Sequence, residues 1–212
     1  ALAVPTRAPG GRTAAYVVGD TEALLVDPAA ADERIDAELD RIEHVVVTHH
    51  HPDHVGCVAE YAAEADLTVW CRYGREGAFS RATGVDPDRT FREGTAISVG
   101  DGAVTVRETP GHAPEHVGFE LEDGIVIGDL AVAAGSVTVN SPEGDMRAYL
   151  SSLRRIRAMA PDRLFPAHGP LIDDPRATCE RLIRHRLERE RRVLAAVAEG
   201  DRTVHDILDS AY

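Results

Sequence analysis

The stretch Thr48-His49-His50-His51-Pro52-Asp53-His54 follows directly on the apolar segment Val45-Val46-Val47 and holds four of the ten histidines. On an extended chain residues i and i+2 point the same way, so His49 and His51 can face one point. The proline then turns the chain, and the two residues after it can approach that point from a second side. Imidazole and carboxylate groups are common ligands of zinc and similar metals. The stretch therefore predicts a metal site; the alternative is a solvated loop that happens to contain many histidines.

Three further ligand-type residues come later in the chain. His112, Asp129 and His168 each close an apolar run and each stand beside a glycine. Loops that follow the strands of a sheet gather at one edge and carry function there, so we expect these side chains to meet the histidine run. Together they give five histidines and two aspartates, enough for two metal ions that each keep an open position.

The order H-x-H-x-D-H, followed by the three later residues, resembles the metallo-β-lactamase-fold hydrolases over roughly positions 13 to 171. The resemblance implies an α/β fold, a four-layer αββα sandwich with the site at the edge of its two sheets. It also implies two divalent metal ions, with zinc favoured and iron or manganese as alternatives. The implied ligands are His49, His51 and His112 for the first metal, Asp53, His54 and His168 for the second, and Asp129 as a bridge.

A metal pair of this kind predicts a reaction type. Two cations that share a water lower its pKa toward neutrality, which gives a metal-bridging hydroxide without any protein nucleophile. Asp53 would accept a hydrogen bond from that hydroxide and aim it. The sequence contains no G-x-S-x-G nucleophile motif, which agrees with direct attack by water. The iron-redox branch of the family typically has Glu where this chain has His51, so a redox role is disfavoured.

Three neighbouring residues are predicted to support the ligands or to contact substrate. His50 points opposite to its neighbours and is expected to pack or to orient a ligand. His116 follows His112 by four residues and is a candidate for a substrate-contacting or ligand-supporting role. Asp27 ends an early strand and resembles the family's acidic residue that orients a metal-bound histidine; a helix N-cap is the alternative.

The rest of the chain alternates strand-like and helical segments, with hairpin signals that favour a mixed sheet with helices outside. We predict a catalytic domain over 1–174 and a C-terminal helical extension over 175–212, the start of a small helical module. The extension begins with an Arg-rich helix over 175–199, and Thr203 is the predicted N-cap of a last helix. Further predicted segments are one helix over 32–41, one helix over 55–64, an irregular stretch over 74–87, and a short strand or extended loop over 137–139.

Composition limits partners and compartment. The chain has 36 acidic and 23 basic residues, all of the latter Arg, and a net charge of -13, which argues against general affinity for nucleic acid or anionic membranes. A Lys-free acidic surface suits a halophile's cytoplasm; an Arg-biased, GC-rich genome is the alternative. Neither a membrane span nor a secretory signal is visible. The three cysteines form no C-x-x-C pair, which favours a reducing cytoplasm.

Three functions remain open at this point. The first is hydrolysis of a small-molecule thioester or ester, because the segment 109–112 and Gly118 resemble the glyoxalase-II group (hydroxyacylglutathione hydrolases). The second is an endoribonuclease or phosphodiesterase with RNA as partner, to which the segment 142–146 and the tail 185–194 show similarity. The third is a non-catalytic metal-binding scaffold. The arginines of the tail could contact phosphates, or could form a solvated face with neighbouring glutamates. Monomer and homodimer both stay open.

Overall fold

A computed structural model describes residues 1–8 and 10–211, and within these residues eleven strands form two sheets. The first sheet has six strands in the order β1 (Leu2–Pro5), β2 (Arg12–Val18), β3 (Ala23–Val26), β4 (Ile42–Val46), β5 (Thr68–Arg72), β6 (Arg89–Phe91). The second has five, in the order β11 (Leu164–Pro166), β10 (Gly124–Gly128), β9 (Val117–Leu121), β8 (Gly102–Glu108), β7 (Ala96–Val99). The helices are α1 (Glu33–Asp36), α2 (Pro52–Val55), α3 (Val58–Glu64), α4 (Glu76–Thr83), α5 (Met146–Met159), α6 (Pro175–Glu199) and α7 (Val204–Ala211).

Three hydrophobic clusters define the layers. The first lies between the outer face of the six-stranded sheet and α1, α3 and α4, and it includes Tyr61 and Phe79. The second fills the space between the two sheets. The third packs the outer face of the five-stranded sheet against α5 and α6, around Tyr149 and Leu182. The order helix, sheet, sheet, helix is the predicted αββα sandwich, and the prediction is confirmed.

Burial on both faces explains the sequence of the central strands. All four residues of β3 and all five of β10 are buried, so these strands are continuously apolar or glycine instead of alternating with polar residues. In the first sheet β1 to β3 are antiparallel neighbours and β3 to β6 run parallel. In the second sheet β7 to β10 are antiparallel neighbours and β10 runs parallel to β11. The predicted mixed arrangement is therefore present in both sheets.

The predicted helix over 55–64 is observed as α3, while its first residue, Val55, is the last residue of the separate helix α2. The backbone N–H of Cys57 donates to the carbonyl of Pro28 at 2.9 Å instead of continuing the helix. A Cβ at Gly56 would come within 2.2 Å of the carbonyl oxygen of Ala29, so the chain passes this segment too closely for any larger residue. The break places the end of α2 and the start of α3 against the loop that follows β3.

Other predicted segments also differ. The stretch over 74–87, which was predicted to be irregular, contains the helix α4. Most of this helix is polar, and the burial of Phe79 against the first sheet holds it in place. The segment over 32–41 forms the single turn α1 followed by a 3₁₀ turn over 39–41, and 137–139 is an irregular loop. The predicted helix over 175–199 is confirmed as α6, and the Thr203 hydroxyl accepts from the Asp206 N–H at 3.1 Å at the start of α7. None of the described helices is long and apolar enough to cross a membrane.

The topology brings five loops to one edge. These are the loops that follow β3, β4, β8, β10 and β11. In the first sheet β3 and β4 are parallel, so the loops after them leave from the same end. In the second sheet β10 and β11 are parallel and β8 and β10 are both antiparallel to β9, so the loops after β8, β10 and β11 also share one end. The approach is closest at Gly128, where a Cβ would lie 2.7 Å from the Thr48 hydroxyl oxygen and φ is +50°. Only glycine lets β10 come this near to the histidine run.

Candidate metal centre

The first group of ligand atoms contains three imidazoles. His49 and His51 follow β4, and His112 follows β8. Nδ1 of His51 lies 2.9 Å from Nε2 of His49 and 2.9 Å from Nε2 of His112. The three nitrogens converge on one point from two different loops, which is the arrangement of a three-imidazole metal site.

The second group combines a carboxylate with two imidazoles. Asp53 and His54 lie in α2, and His168 follows β11. Nε2 of His168 is 3.4 Å from Oδ2 of Asp53, and one ligand atom from each of the three residues lies within 4.8 Å of the others. The mixed nitrogen and oxygen donors are suited to zinc, iron or manganese.

Asp129 stands between the two groups. Its Oδ2 lies 3.5 Å from Nε2 of His112, in the first group, and its Oδ1 lies 3.4 Å from Nε2 of His168, in the second. Each carboxylate oxygen thus faces a different set of ligands. A carboxylate in this position can be shared by two cations.

Each of the five imidazoles also binds the protein through its other ring nitrogen. The partners are Thr48 Oγ1 for His49 at 3.1 Å, Glu143 for His51 at 3.1 Å, Asp27 for His54 at 2.9 Å, the Thr138 carbonyl for His112 at 2.6 Å and the Arg12 carbonyl for His168 at 3.0 Å. Such contacts fix the tautomer and the orientation of the ring, and they are typical of histidines that ligate metals.

Two buried atoms support the fit of a metal pair to these residues. Nε2 of His54 and Oδ1 of Asp129 are both buried, and neither has a hydrogen-bond partner among the described residues. Leaving a buried polar atom unsatisfied costs about 1–3 kcal/mol, more for a charged group. Cations at the two converging groups would satisfy both atoms, so the residues present fit two divalent metals.

The surroundings of the site shift the pKa values of its histidines in opposite directions. Burial lowers the pKa of His49 well below its ordinary value, and the neighbouring imidazoles lower it further. Nε2 of His168, by contrast, lies 3.4 Å from a carboxylate oxygen of Asp129 and 3.4 Å from one of Asp53, and these two charges raise the pKa of His168 to about 10. Burial would raise the pKa of Asp129, but the ion pair with His168 and the other nearby imidazoles hold it well below its usual range. His49 is therefore already neutral as a ligand, whereas His168 must release a proton to become one.

A cleft of about 420 Å³ opens over both groups. His51, Asp53, His112, Asp129 and His168 line its floor. One wall is the segment 131–139, which we call the strap; most of its residues line the cleft and are small. A small molecule in the cleft can thus reach the ligand atoms of both groups.

The comparisons with known proteins agree with this geometry. Residues 8–168 match the model of the metallo-beta-lactamase superfamily. The chain belongs to this superfamily. The match contains every predicted metal ligand and all strands of both sheets from β2 to β11.

Curated relatives within the superfamily carry different names. A beta-lactamase-like protein 2 homolog of Caenorhabditis elegans is 27% identical over 175 residues, which are 81% of this chain and 57% of that protein. A hydroxyacylglutathione hydrolase of Methylococcus capsulatus is 34% identical over 198 residues, 90% of this chain and 75% of the relative. An atrochrysone carboxyl ACP thioesterase of Aspergillus chevalieri is 30% identical over 230 residues, 96% and 70% of the two chains. The chain thus spans little more than half the length of the first of these relatives.

Solved structures show the same fold. A beta-lactamase domain protein from Burkholderia ambifaria superposes with a TM-score of 0.81 at 24% identity, over 99% of this chain and 80% of the other. The structure of TTHA1623 in a di-iron-bound form has a TM-score of 0.65 at 30% identity, over 82% and 94%.

His116 contacts Asp129 rather than the cleft. It is fully buried, its Nε2 accepts from the backbone N–H of Asp129 at 3.0 Å, and its Nδ1 is 2.8 Å from the Thr109 hydroxyl. Burial, with a further contribution from His112, lowers the pKa of His116 to about 3. The ring therefore stays neutral and keeps the lone pair that holds the Asp129 backbone in place.

His50 lies away from both groups of ligand atoms. Its backbone N–H donates to Glu115 at 3.2 Å, its Nδ1 is 3.5 Å from the same carboxylate, and its ring packs edge-on to Phe79. The opposite orientation predicted for His50 follows from the alternation of side chains along the extended segment. Its role is to hold the histidine run on the body of the fold.

Some of the supporting residues carry no sequence signal. The carbonyls of Thr138 and Arg12 act through the backbone, so their side-chain identity is not informative. Glu143 belongs to the segment that we singled out for its similarity to ribonucleases, yet its carboxylate contacts His51 and its side chain is 58% exposed. Only the folded chain reveals these contacts, because they join residues that are far apart in sequence.

The arginines of α6 do not form one uniform basic face. Arg176 pairs with Glu180 at 3.2 Å and Arg184 with Glu188 at 3.9 Å, as expected for a solvated helix face. Arg181 and Arg186 instead reach back to carbonyl oxygens of the strap. The helix therefore offers phosphates a smaller basic surface than its sequence suggests.

Proposed function

We propose that this chain is a binuclear metallohydrolase that cleaves a small-molecule thioester or ester. The observation that carries the proposal is the position of Asp129, with one carboxylate oxygen toward the imidazoles of the first group and the other toward His168 of the second. A metal pair would supply a Lewis acid for the carbonyl oxygen and a water of lowered pKa. The proposed ligands are those of the predicted set, with Asp129 shared.

The protein's own groups would orient the reactants. Asp53 lines the cleft beside His168 and would accept a hydrogen bond from the attacking water. Thr48, Asp27, Glu143 and the Thr138 carbonyl keep the rings of the ligands in fixed orientations. Holding the reacting groups in this way removes much of the entropic cost of bringing them together.

The substrate class rests on the relatives and on the cleft. One relative is named a hydroxyacylglutathione hydrolase and another an ACP thioesterase, and both names denote hydrolysis of an acyl thioester. The cleft has a wall of small residues, which leaves room for an acyl group beside the ligand atoms. Because Arg181 and Arg186 bind carbonyls of the strap, the structure of α6 does not favour RNA as the substrate.

The test is hydrolysis by the purified chain after chelation and after reloading with zinc, manganese or iron. The substrates are a lactoylglutathione-type thioester, an acyl-pantetheine thioester, a simple aryl ester and single-stranded RNA. We expect turnover of at least one thioester or ester that EDTA abolishes and metal restores. Cleavage of RNA alone would replace the proposal by a phosphodiesterase, and metal binding without turnover of any substrate would reduce the chain to a scaffold.

Asp129→Ala gives the sharper arm of this test. Loss of the shared carboxylate should lower the metal content from two ions to one or fewer per chain and reduce kcat/KM by about three orders of magnitude. Elemental analysis and initial rates measure the two effects. Glu122→Ala is the matched control, because it removes an exposed carboxylate in the β9–β10 turn. Two metals at full occupancy in the Asp129 variant would contradict the bridging role.

A further inference from the structure

The strap has almost no backbone structure of its own. Among the described residues, no backbone–backbone hydrogen bond involves any position from 131 to 139. Val137 is buried in the cluster under α5 and α6, but the strap residues 134–136 and Thr138 are exposed. A segment with so few internal bonds needs external contacts to keep one conformation.

Those contacts come from two arginines of α6. Nη1 of Arg181 donates to the Gly135 carbonyl at 2.6 Å, and its Nη2 donates to the carbonyls of Val132 at 2.7 Å and Ala133 at 3.1 Å. Arg186 donates to the carbonyl of Val137. Two guanidinium groups thus bind four strap carbonyls.

The same strap carries a contact of the metal centre. Thr138 directly follows the residue bound by Arg186, and its carbonyl accepts from Nδ1 of His112 at 2.6 Å. That contact fixes the His112 ring so that Nε2 faces the first group of ligand atoms. The strap is also the wall of the cleft. The position of the strap therefore affects both a ligand and the space for substrate.

We propose that Arg181, together with Arg186, is a positioning residue of the metal centre. By holding the strap carbonyls, the two side chains keep Thr138 against His112 and keep the wall of the cleft in place. The flat guanidinium of Arg181 can bind three carbonyls at once because its donors form a rigid fork, which the single ammonium of lysine cannot reproduce. The inference rests on the proposed metal site, but not on the identity of the substrate.

The experiment compares Arg181→Met, Arg181→Lys and Arg184→Met with the unaltered chain. Arg184 is the matched control, since it is an exposed arginine on the same helix that pairs only weakly with Glu188. The first readout, on metal-free protein, is limited proteolysis with elastase, which cuts after small apolar residues such as those of the strap. The second is zinc affinity by competition with a chromophoric chelator. Neither readout needs a substrate, so failure here is distinguishable from failure of the proposed function.

For Arg181→Met we expect cleavage within 131–139 to be about tenfold faster. We also expect one of the two zinc dissociation constants to rise about tenfold, which is the lower end of the effect seen when a metal ligand loses the protein group that hydrogen-bonds to it. The Lys variant should fall between Met and the unaltered chain, and Arg184→Met should match the unaltered chain in both readouts. Unchanged cleavage and zinc affinity in Arg181→Met would overturn the proposal. Cleavage spread over the whole chain in both the Met and the Lys variants would also overturn it, because Arg181 would then serve overall stability only.

Discussion

Asp27 illustrates how one buried carboxylate supports the site. Its Oδ1 accepts from the backbone N–H of Thr48 at 2.6 Å, and its Oδ2 accepts from the Thr48 hydroxyl at 2.8 Å and from His54 Nδ1 at 2.9 Å. All three groups are donors, and the aspartate is 1% exposed. Asp27 therefore holds the start of the histidine run and leaves Nε2 of His54 free to ligate.

Replacing Asp27 by Asn tests this role. The amide has one oxygen and one NH₂ group, so either orientation turns a donor toward a donor. We expect the free energy of unfolding to fall by about 1–3 kcal/mol and zinc affinity to fall 10- to 100-fold. Urea unfolding and zinc competition measure these effects, with Asp123→Asn in the exposed β9–β10 turn as the control. A fully stable Asn variant with unaltered zinc binding would show that Asp27 has no supporting role.

Single residues also show what the sequence could predict about the site. The ligand-type side chains could be predicted, since they follow apolar runs and their order resembles a family, and the structure brings all seven together. The contacts of Thr138, Arg12 and Glu143 could not, because a backbone carbonyl has no signature and an exposed glutamate is common. Their roles depend on which loops meet in space.

Among the elements, the loop before β7 carries a carboxylate that adds side-chain contacts to β8 and α5 beyond its backbone hydrogen bonds with Val106. Glu93 accepts from the backbone N–H of Glu108 at 2.7 Å, from Arg107 at 3.3 Å and from Arg155 of α5. The side chain is 37% exposed. Burial would raise the pKa of Glu93, but the hydrogen bonds from Arg155 and the Glu108 N–H outweigh it and lower the pKa. The carboxylate therefore joins β8, α5 and the loop only while it is ionised.

This link predicts a pH-dependent stability. A carboxyl group whose pKa is lower in the folded chain stabilises it above the unfolded pKa, and that stabilisation is lost as the pH falls through the folded value. We expect Glu93→Gln to cost about 0.5–1 kcal/mol at pH 7, a small figure because solvent screens the pair. The difference from the unaltered chain should begin to shrink near the ordinary glutamate pKa of about 4.3 and continue to shrink below it. Chemical denaturation from pH 7 to 3 checks this; a difference that grows on acidification would contradict it.

The element whose bounds the sequence predicted best is α6. Its predicted range, 175–199, is the observed one, because Pro175 suits the first turn of a helix and Gly200 suits its end. The elements missed are short or polar. Only Phe91 of the three residues in β6 is buried, and α4 buries only Phe79 and Thr83. Such elements form because one aromatic ring packs against the neighbouring sheet and is buried there.

At the scale of the whole molecule, the proposed metals would tie the two sheets together. The ligands come from loops after β4 in one sheet and after β8, β10 and β11 in the other, with α2 between them. A cation that binds the folded chain and not the unfolded one adds to its stability by mass action. The metal centre is therefore expected to contribute to stability as well as to catalysis.

Metal should raise the melting temperature accordingly. Zinc at about 100 times its dissociation constant gives about 2.7 kcal/mol per site, which for a chain of this size is a rise of roughly 5–10 °C in Tm per site. Thermal unfolding of the chelated protein with increasing zinc measures it, and EDTA should reverse it. Magnesium is the control, because it prefers oxygen ligands and retains its waters. A Tm that zinc, manganese and iron all leave unchanged would contradict a built metal site.

The way in which α6 holds the strap affects how substrate preference can change by mutation. A guanidinium that binds carbonyl oxygens is indifferent to the side chains beside them, since every residue supplies the same oxygen. Ala134 and Ser136 are exposed on the strap and line the cleft. Substitutions at these two positions can reshape the mouth of the cleft while the anchoring of the wall stays intact. New substrate preferences could thus be selected here one mutation at a time, without refolding the loop or rebuilding the centre beneath it.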